Sequence, residues 1–236
     1  MSKILDIREY DVHYQIRAQI DSELRISYWY HVELDGPLLT RFRCDKENHD
    51  KAQIRVLAFD IETTKQPLRF PDAKFDQIMM ISYIIDGSGF LITNREIVSQ
   101  DVEDFEYAPR EDYDVGLFKV FNEPDERSLI RKFFAHIQET KPTVFTSFNG
   151  DKFDWPFIQQ RAEHHHLSME KEIGIFYFEA GEGEYTGRFS SHLDCLYWVK
   201  RDAFLPQGSH GLKAVTKAKL GYDPVELDPE KMTPYA

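Results

Sequence analysis

Apolar residues recur along this chain in two rhythms. The first fifty residues alternate in places, as in Arg25-Ile26-Ser27-Tyr28-Trp29-Tyr30-His31-Val32, and a period of two predicts antiparallel strands with one covered face. The polar run from Asp45 to Gln53 then separates a β-rich segment, residues 1–52, from a second domain over 53–236. In that second domain short apolar runs mark buried strands and stripes mark helices. Val56-Leu57-Ala58 leads into Phe59-Asp60-Ile61-Glu62-Thr63, Ile78 to Ile85 forms a second strand, and Asp86-Gly87-Ser88-Gly89 turns the chain into a hairpin partner over Phe90 to Thr93. Phe118 to Phe121 adds an edge. A helix opens near Pro124 with Leu129, Ile130, Phe133, Phe134 and Ile137 on one face. Thr143 to Phe148 is the next strand and Trp155 to His166 the next helix. His192 to Leu196 reads as a further strand, and Leu212 to Leu220 as a helix closed by Gly221. The order describes an α/β domain with a mixed sheet flanked by helices.

Charge narrows the classes. With 41 acidic against 29 basic residues the net charge is −12, the wrong sign for gripping duplex DNA by counterion release. Much of the excess sits in one stretch, Glu96, Asp101, Glu103, Asp104, Glu106, Glu111, Asp112 and Asp114, which has little periodicity and reads as a solvated excursion away from any nucleic-acid path. No apolar run is long enough to span a bilayer and no secretory signal opens the chain. Cys44 and Cys195, far apart, offer no disulfide framework and fit a reducing compartment. Adjacent residues of a helix diverge by about 100°, so His164-His165-His166 cannot converge on one ion and reads as a polar helix end.

Candidate chemistry lies at two places. Side chains at i and i+2 of a strand share a face, so Asp60 and Glu62 stand side by side, where neither pairs with the other and no Lys or Arg follows until Lys65. Either they are two solvated acids, or they hold a hard divalent cation such as Mg²⁺ or Mn²⁺. The second place is Ser147-Phe148-Asn149-Gly150-Asp151-Lys152-Phe153-Asp154-Trp155-Pro156-Phe157, read as strand end, tight turn at Asn149-Gly150 and helix start with Pro156 in the first turn. Asp151 suits a turn or capping role. Asp154 suits either an N-cap or a metal ligand at the positive helix end.

Asp60-Ile61-Glu62-Thr63 together with Asn149-x-x-x-Phe153-Asp154 resembles the first two motifs of the 3′→5′ proofreading exonuclease of B-family DNA polymerases. Further stretches resemble the replicative, epsilon-type branch of that family: Asp6 to Val12, Phe70-Pro71-Asp72-Ala73, Asp76 to Tyr83, Phe121 to Glu126 and Lys219 to Leu227. The similarity runs over nearly the whole chain and is loosest at residues 100–117 and 175–191. It implies a ribonuclease H-like fold and two-metal phosphodiester hydrolysis with Mg²⁺ or Mn²⁺. Asp60 would bridge both ions, Glu62 would hold the ion bearing the attacking water, and Asp154 the ion beside the leaving group. By the same resemblance Thr63, Thr64, Asn149 and Phe153 contact the terminal nucleotides, Phe153 by stacking or else by core packing, while Pro71 lines the cleft with Val199 and Leu212 packed behind it. Asp194 is implied to be structural. Lys213 and Lys217, four residues apart on one helical face, either meet phosphates of the strand or form a solvated face.

The resemblance also sets what to expect of the whole protein. The family's third motif, a Tyr followed four residues later by an Asp, does not occur in these 236 residues, so the chain reads as a fragment whose isolated activity is weak or absent. DNA synthesis would belong to segments elsewhere in a parent polymerase, as would a C-terminal zinc or iron–sulfur region. A single-stranded 3′ end of DNA is the implied substrate, other polymerase subunits and replication factors the implied partners, the nucleus the implied location, with no membrane association. The alternatives are an inert DNA- or replisome-binding module and an unrelated nuclease with coincidental motifs.

Overall fold

The computed structural model describes residues 11–179, 183–201, 205 and 210–236; residues 6–10 of the N-terminal stretch quoted above lie outside them. Contacts divide the chain into two compact units, Met1–Gln53 and Ile54–Ala236.

The first unit holds helix α1 (Tyr14–Asp21) and an antiparallel pair, β1 (Trp29–Asp35) and β2 (Leu38–Asp45), in register from Trp29 opposite Asp45 to Asp35 opposite Leu38. The alternating segment thus becomes one arm of a hairpin, with Tyr30 edge-on to Phe42 at 6.2 Å. Helix α1 is an addition to the expected β-rich segment: none of its residues is buried, so it carries no apolar stripe to find.

The second unit is built on a seven-stranded mixed sheet. Its strands are β3 (Val56–Thr63), β4 (Ile78–Ile85), β5 (Ser88–Asn94), β6 (Phe105–Tyr107), β7 (Gly116–Glu123), β8 (Val144–Ser147) and, last in the chain, β11 (Ser191–Asp194). Their spatial order is β11-β8-β3-β4-β5-β7-β6. Strands β11, β8 and β3 run parallel, β4 opposes β3 and β5, and β7 runs parallel to β5. The expected edge at Phe118 to Phe121 is interior instead. The edge is β6, three residues from the acidic stretch that period alone assigned to a solvated excursion. So short a strand leaves no alternation to detect.

Helix α2 (Glu126–Thr140) is opened by Asp125, whose side chain accepts from the Ser128 N–H at 2.7 Å. Its stripe Leu129, Ile130, Phe133, Phe134 and Ile137 is buried as its spacing predicted. Helix α3 (Asp154–His164) places Trp155 in the centre of the core, 4.4 Å from the Phe59 ring and 5.8 Å from Phe145. Strand β3 alternates strictly, with Leu57, Phe59, Ile61 and Thr63 buried and Ala58, Asp60 and Glu62 on the open face. Burial of such aromatic and branched residues supplies the main driving force for the domain.

Beyond α3 lie helix α4 (Met169–Ile173), an antiparallel pair β9 (Ile175–Phe178) and β10 (Glu184–Gly187), and helix α5 (Cys195–Arg201). Helix α6 (Leu212–Val215) runs on as a π-helical turn, Thr216–Leu220, capped by Gly221 at φ 73°. Helix α7 is Pro229–Tyr235. The hydrophobic pattern predicts neither the β9–β10 pair nor α4, α5 and α7, all of them short. Val199 is buried with Leu205 and Val215, and Phe148 packs on them. Leu212 is half exposed and does not join that cluster, because it opens α6 on its outer side.

Candidate active site

The parallel strands β3, β8 and β11 present their carboxyl ends on one side of the sheet, the side where open α/β sheets bind ligands. At the end of β3 stand Asp60 and Glu62. Strand β8 pairs with β3 only as far as Ala58 opposite Thr146, so β3 runs on past its partner and the Ile61 N–H faces the departing chain. Asp154, first residue of α3, fills that gap: its Oδ1 accepts from Ile61 N–H at 3.2 Å, which brings its carboxyl close enough to Asp60 for the two charges to interact. Asp154 is only 2% exposed. The helix start itself is left to Phe153, which makes no side-chain cap. The carboxylate is turned toward β3, a direction that an N-cap would not take.

Crowding these acids has an electrostatic consequence. Burial, with the Asp60 charge added, pushes Asp154 up to about 8. Burial followed by repulsion from Asp60 pushes Glu62 up to about 7. Burial likewise raises Asp60 above the ordinary carboxylate range. Among the described residues no Lys, Arg or His pairs with any of the three, and desolvated like charges without a counter-ion favour the protonated form. Hard carboxylate oxygens with a surplus of negative charge fit a divalent cation. Among the described residues no three His, Cys, Asp or Glu side chains already enclose one ion position.

The loop carrying the second motif is held from below. Asn149 adopts the left-handed conformation at φ 66°, and its carbonyl accepts from Lys152 and Phe153. Gly150 passes so close to Ser147 that a Cβ would fall 2.3 Å from its Oγ, so only glycine fits. Asp194, buried at the end of β11, accepts from the N–H groups of Asn149 (2.8 Å), Asp151 (3.2 Å) and Leu196 (2.9 Å). Its oxygens are thereby spent on backbone, the structural role that the resemblance implied. Asp151 accepts from Tyr185 N–H at 2.9 Å. The His192 Nε2 lies 3.1 Å from the Asp151 carboxylate, within ion-pair reach, but the pair is not aligned as a hydrogen bond.

The remaining expected contacts are distributed around this centre. Thr63 points to the core side of β3, opposite Asp60 and Glu62, just past a bulge between Glu62 and Thr63. The Thr64 hydroxyl accepts from Gln77 N–H at 3.0 Å and so closes the loop 64–77. Pro71 is half-buried in that loop. Phe153 lies 5.7 Å from both the exposed Phe70 and the buried Phe157, so the ring bridges cleft and core. Lys213 reaches Glu226 at 3.1 Å and Lys217 reaches Asp223 at 3.2 Å, which neutralises within one surface segment the basic face read from the sequence. His165 donates to or accepts from Glu126 at 2.7 Å; the His triplet contributes an ion-pair partner, with no metal cluster among the described residues.

One buried constellation has no signal in the sequence. Glu126, Arg161 and His165 meet beneath loop 64–77. Nothing in their spacing announces this, since an acid in a helix first turn and an Arg or His in a last turn are ordinary dipole partners.

The end of β3 and the start of α3 thus bring three carboxyl groups together at the strand ends of a mixed α/β sheet. Residues 5–215 match the family described as DNA polymerase family B, exonuclease domain. The chain is 58% identical to the DNA polymerase epsilon catalytic subunit of Debaryomyces hansenii over 98% of its length, and 58% identical to that of Saccharomyces cerevisiae over 99%. It is 53% identical to the Arabidopsis thaliana protein of the same name over its full length. The chain belongs to the B-family DNA polymerase exonuclease-domain family, in the branch of the epsilon catalytic subunits. It spans about a tenth of the length of the curated relatives it matches. Family membership implies dependence on divalent metal in general.

Proposed function

We propose that this domain removes the 3′-terminal nucleotide from single-stranded DNA by metal-assisted hydrolysis, as the proofreading part of an epsilon-type replicative polymerase. The observation that carries the reading is the placement of the buried Asp154 carboxyl against Asp60 and the Ile61 N–H, with no protein cation to compensate it among the described residues. Asp60, Glu62 and Asp154 would hold Mg²⁺ or Mn²⁺. When bound, two such ions supply an activated water and neutralise the charge that builds on the departing 3′-oxygen.

The chain's own residues do the rest. Asp60 faces Asp154 across the strand gap and is the natural shared ligand; Glu62, standing near neutrality, orients or deprotonates water at its side of the cleft. Phe153 and Phe70 form an aromatic edge for frayed bases, where stacking contributes about 1–3 kcal/mol per base. Pro71, Thr64 and Asn149 would frame the cleft, Thr63 would reach it only through its backbone because its side chain lies on the core side of β3, and Lys213 would reach phosphate only by leaving Glu226. Synthesis of DNA, contacts with other subunits and replication factors, and residence in the nucleus belong to the parent protein in this reading.

A second reading, an inert binding module, applies to the isolated 236 residues, in which a Tyr followed four residues later by an Asp, the third motif of the family, does not occur. Incubating a 5′-labelled single strand with Mg²⁺ or Mn²⁺ separates the two. Stepwise shortening from the 3′ end that Asp60→Ala abolishes establishes hydrolysis. Strand binding without shortening, by both the isolated chain and the full-length polymerase, leaves only the binding module.

A further inference from the structure

The loop between β3 and β4, residues 64–77, carries the cleft-lining Phe70 and Pro71, yet most of its own tips are exposed: Leu68, Phe70 and Phe75 all face solvent. Its position is set from underneath by a buried cluster that takes no part in the carboxylate site. Glu126, first residue of α2, is 1% exposed. Its Oε1 accepts from the Ile78 N–H, where the loop re-enters the sheet, at 2.7 Å. Its two oxygens also take Arg161 Nε at 2.8 and 3.0 Å, the Arg161 Nη2, and His165 Nε2 at 2.7 Å. Arg161 turns its remaining fork outward, and Nη1 donates to the Ala73 carbonyl in the middle of the loop at 3.0 Å.

Arg161 stands two turns along the same helix that begins with Asp154. One rigid element therefore presents a candidate metal ligand at its start and a clamp on the opposite wall of the cleft further along. The wall is tied to the helix a second time where Phe70 rests on Phe153. A buried, fully hydrogen-bonded ion pair adds little net stability over apolar packing but fixes geometry, and a planar guanidinium can serve a carboxylate and a carbonyl at once.

We infer that Glu126 and Arg161 are positioning residues that set the width of the cleft for the terminal nucleotide, by locking loop 64–77 to the helix that carries Asp154. The inference rests on the hydrolytic reading above. Arg161→Lys keeps the positive charge beside Glu126 but cannot hold both Glu126 and the Ala73 carbonyl. Glu126→Gln keeps an acceptor for Ile78 and loses the charge.

The test uses the full-length catalytic subunit with a 5′-labelled oligo(dT) strand and Mg²⁺. In Arg161→Lys, cooperative unfolding is retained, amide hydrogen exchange rises within residues 64–77, and KM for the strand rises about tenfold while kcat stays within about twofold. Glu126→Gln shifts KM and loop exchange in the same direction. A folded Arg161→Lys protein with unchanged KM and unchanged loop exchange overturns the inference, as does a fall in kcat alone. Unfolding of both variants also overturns it, since the cluster then serves only the fold. A wild-type protein lacking Asp60-dependent shortening sinks the hydrolytic reading instead, before any variant is compared.

Discussion

Helix α3 begins and ends at two buried carboxyl groups, Asp154 and Glu126, whose surroundings treat charge in opposite ways. At its start Asp154 is packed against Asp60 with only an N–H for company, and both carboxyls are raised. Toward its end Glu126 receives Arg161, His165 and a backbone N–H, and every strong acceptor site is used. Burial is equally deep in Asp154 and Glu126. The contrast teaches that a fold of this kind can compensate a buried carboxylate, and under the hydrolytic proposal the cluster left without compensation is where a cation would bind.

The largest test of the contrast is Arg161→Ala. Removing one partner strands the Glu126 charge, and equilibrium urea unfolding is expected to register a loss of about 3–5 kcal/mol. Little loss would mean that Glu126 is protonated or rehydrated, and the distinction between the clusters would fade. Asp194→Asn is next. One of its oxygens becomes a donor facing backbone N–H groups, so unfolding should cost about 1–3 kcal/mol, and the turn at Asn149 should exchange its amide protons faster.

The third test is pH. Asp154 is raised to about 8 from an ordinary 3.8, so the folded state binds its proton more tightly than the unfolded chain. Stability from this group is fully present below about pH 4 and is lost as pH climbs through about 8. Without divalent ions the domain should therefore lose stability steadily as pH rises from 5 to 8, read as a falling thermal midpoint. Mg²⁺ at pH 8 should restore it, and Asp154→Asn should flatten the slope with folding intact by circular dichroism. A metal-free profile that rises over this range would contradict the proposed crowding. The smallest effect is expected from Lys213→Ala. Its partners Glu226 and Asp223 are exposed and screened by solvent, so urea unfolding should not change measurably, and a clear shift would expose a packing role.

Much of this arrangement was legible from residue order. Ile78 to Ile85 is a nearly unbroken apolar run and the α2 stripe is strongly periodic, and both formed where their pattern placed them. Asp60 and Glu62 share the open face of β3 because the period of a strand is two. Asn149-Gly150 announced a turn that requires a positive φ and a missing side chain. Short elements were not legible: β6, the β9–β10 pair and α4 each span five residues or fewer, too few to repeat a pattern.

Local order determined the strands, the helix stripes, the paired acids at the end of β3 and the family to which the motifs belong, because each depends on neighbours within a few positions. Only the tertiary structure decided that Asp154 turns away from its own helix to meet Ile61 and Asp60, that Asp194 spends its oxygens on a loop, and that Arg161 reaches across to Ala73. Those contacts join residues tens of positions apart. Their energies come from desolvation and charge in a shared interior, quantities that exist only once the sheet has brought the chain ends of its parallel strands together.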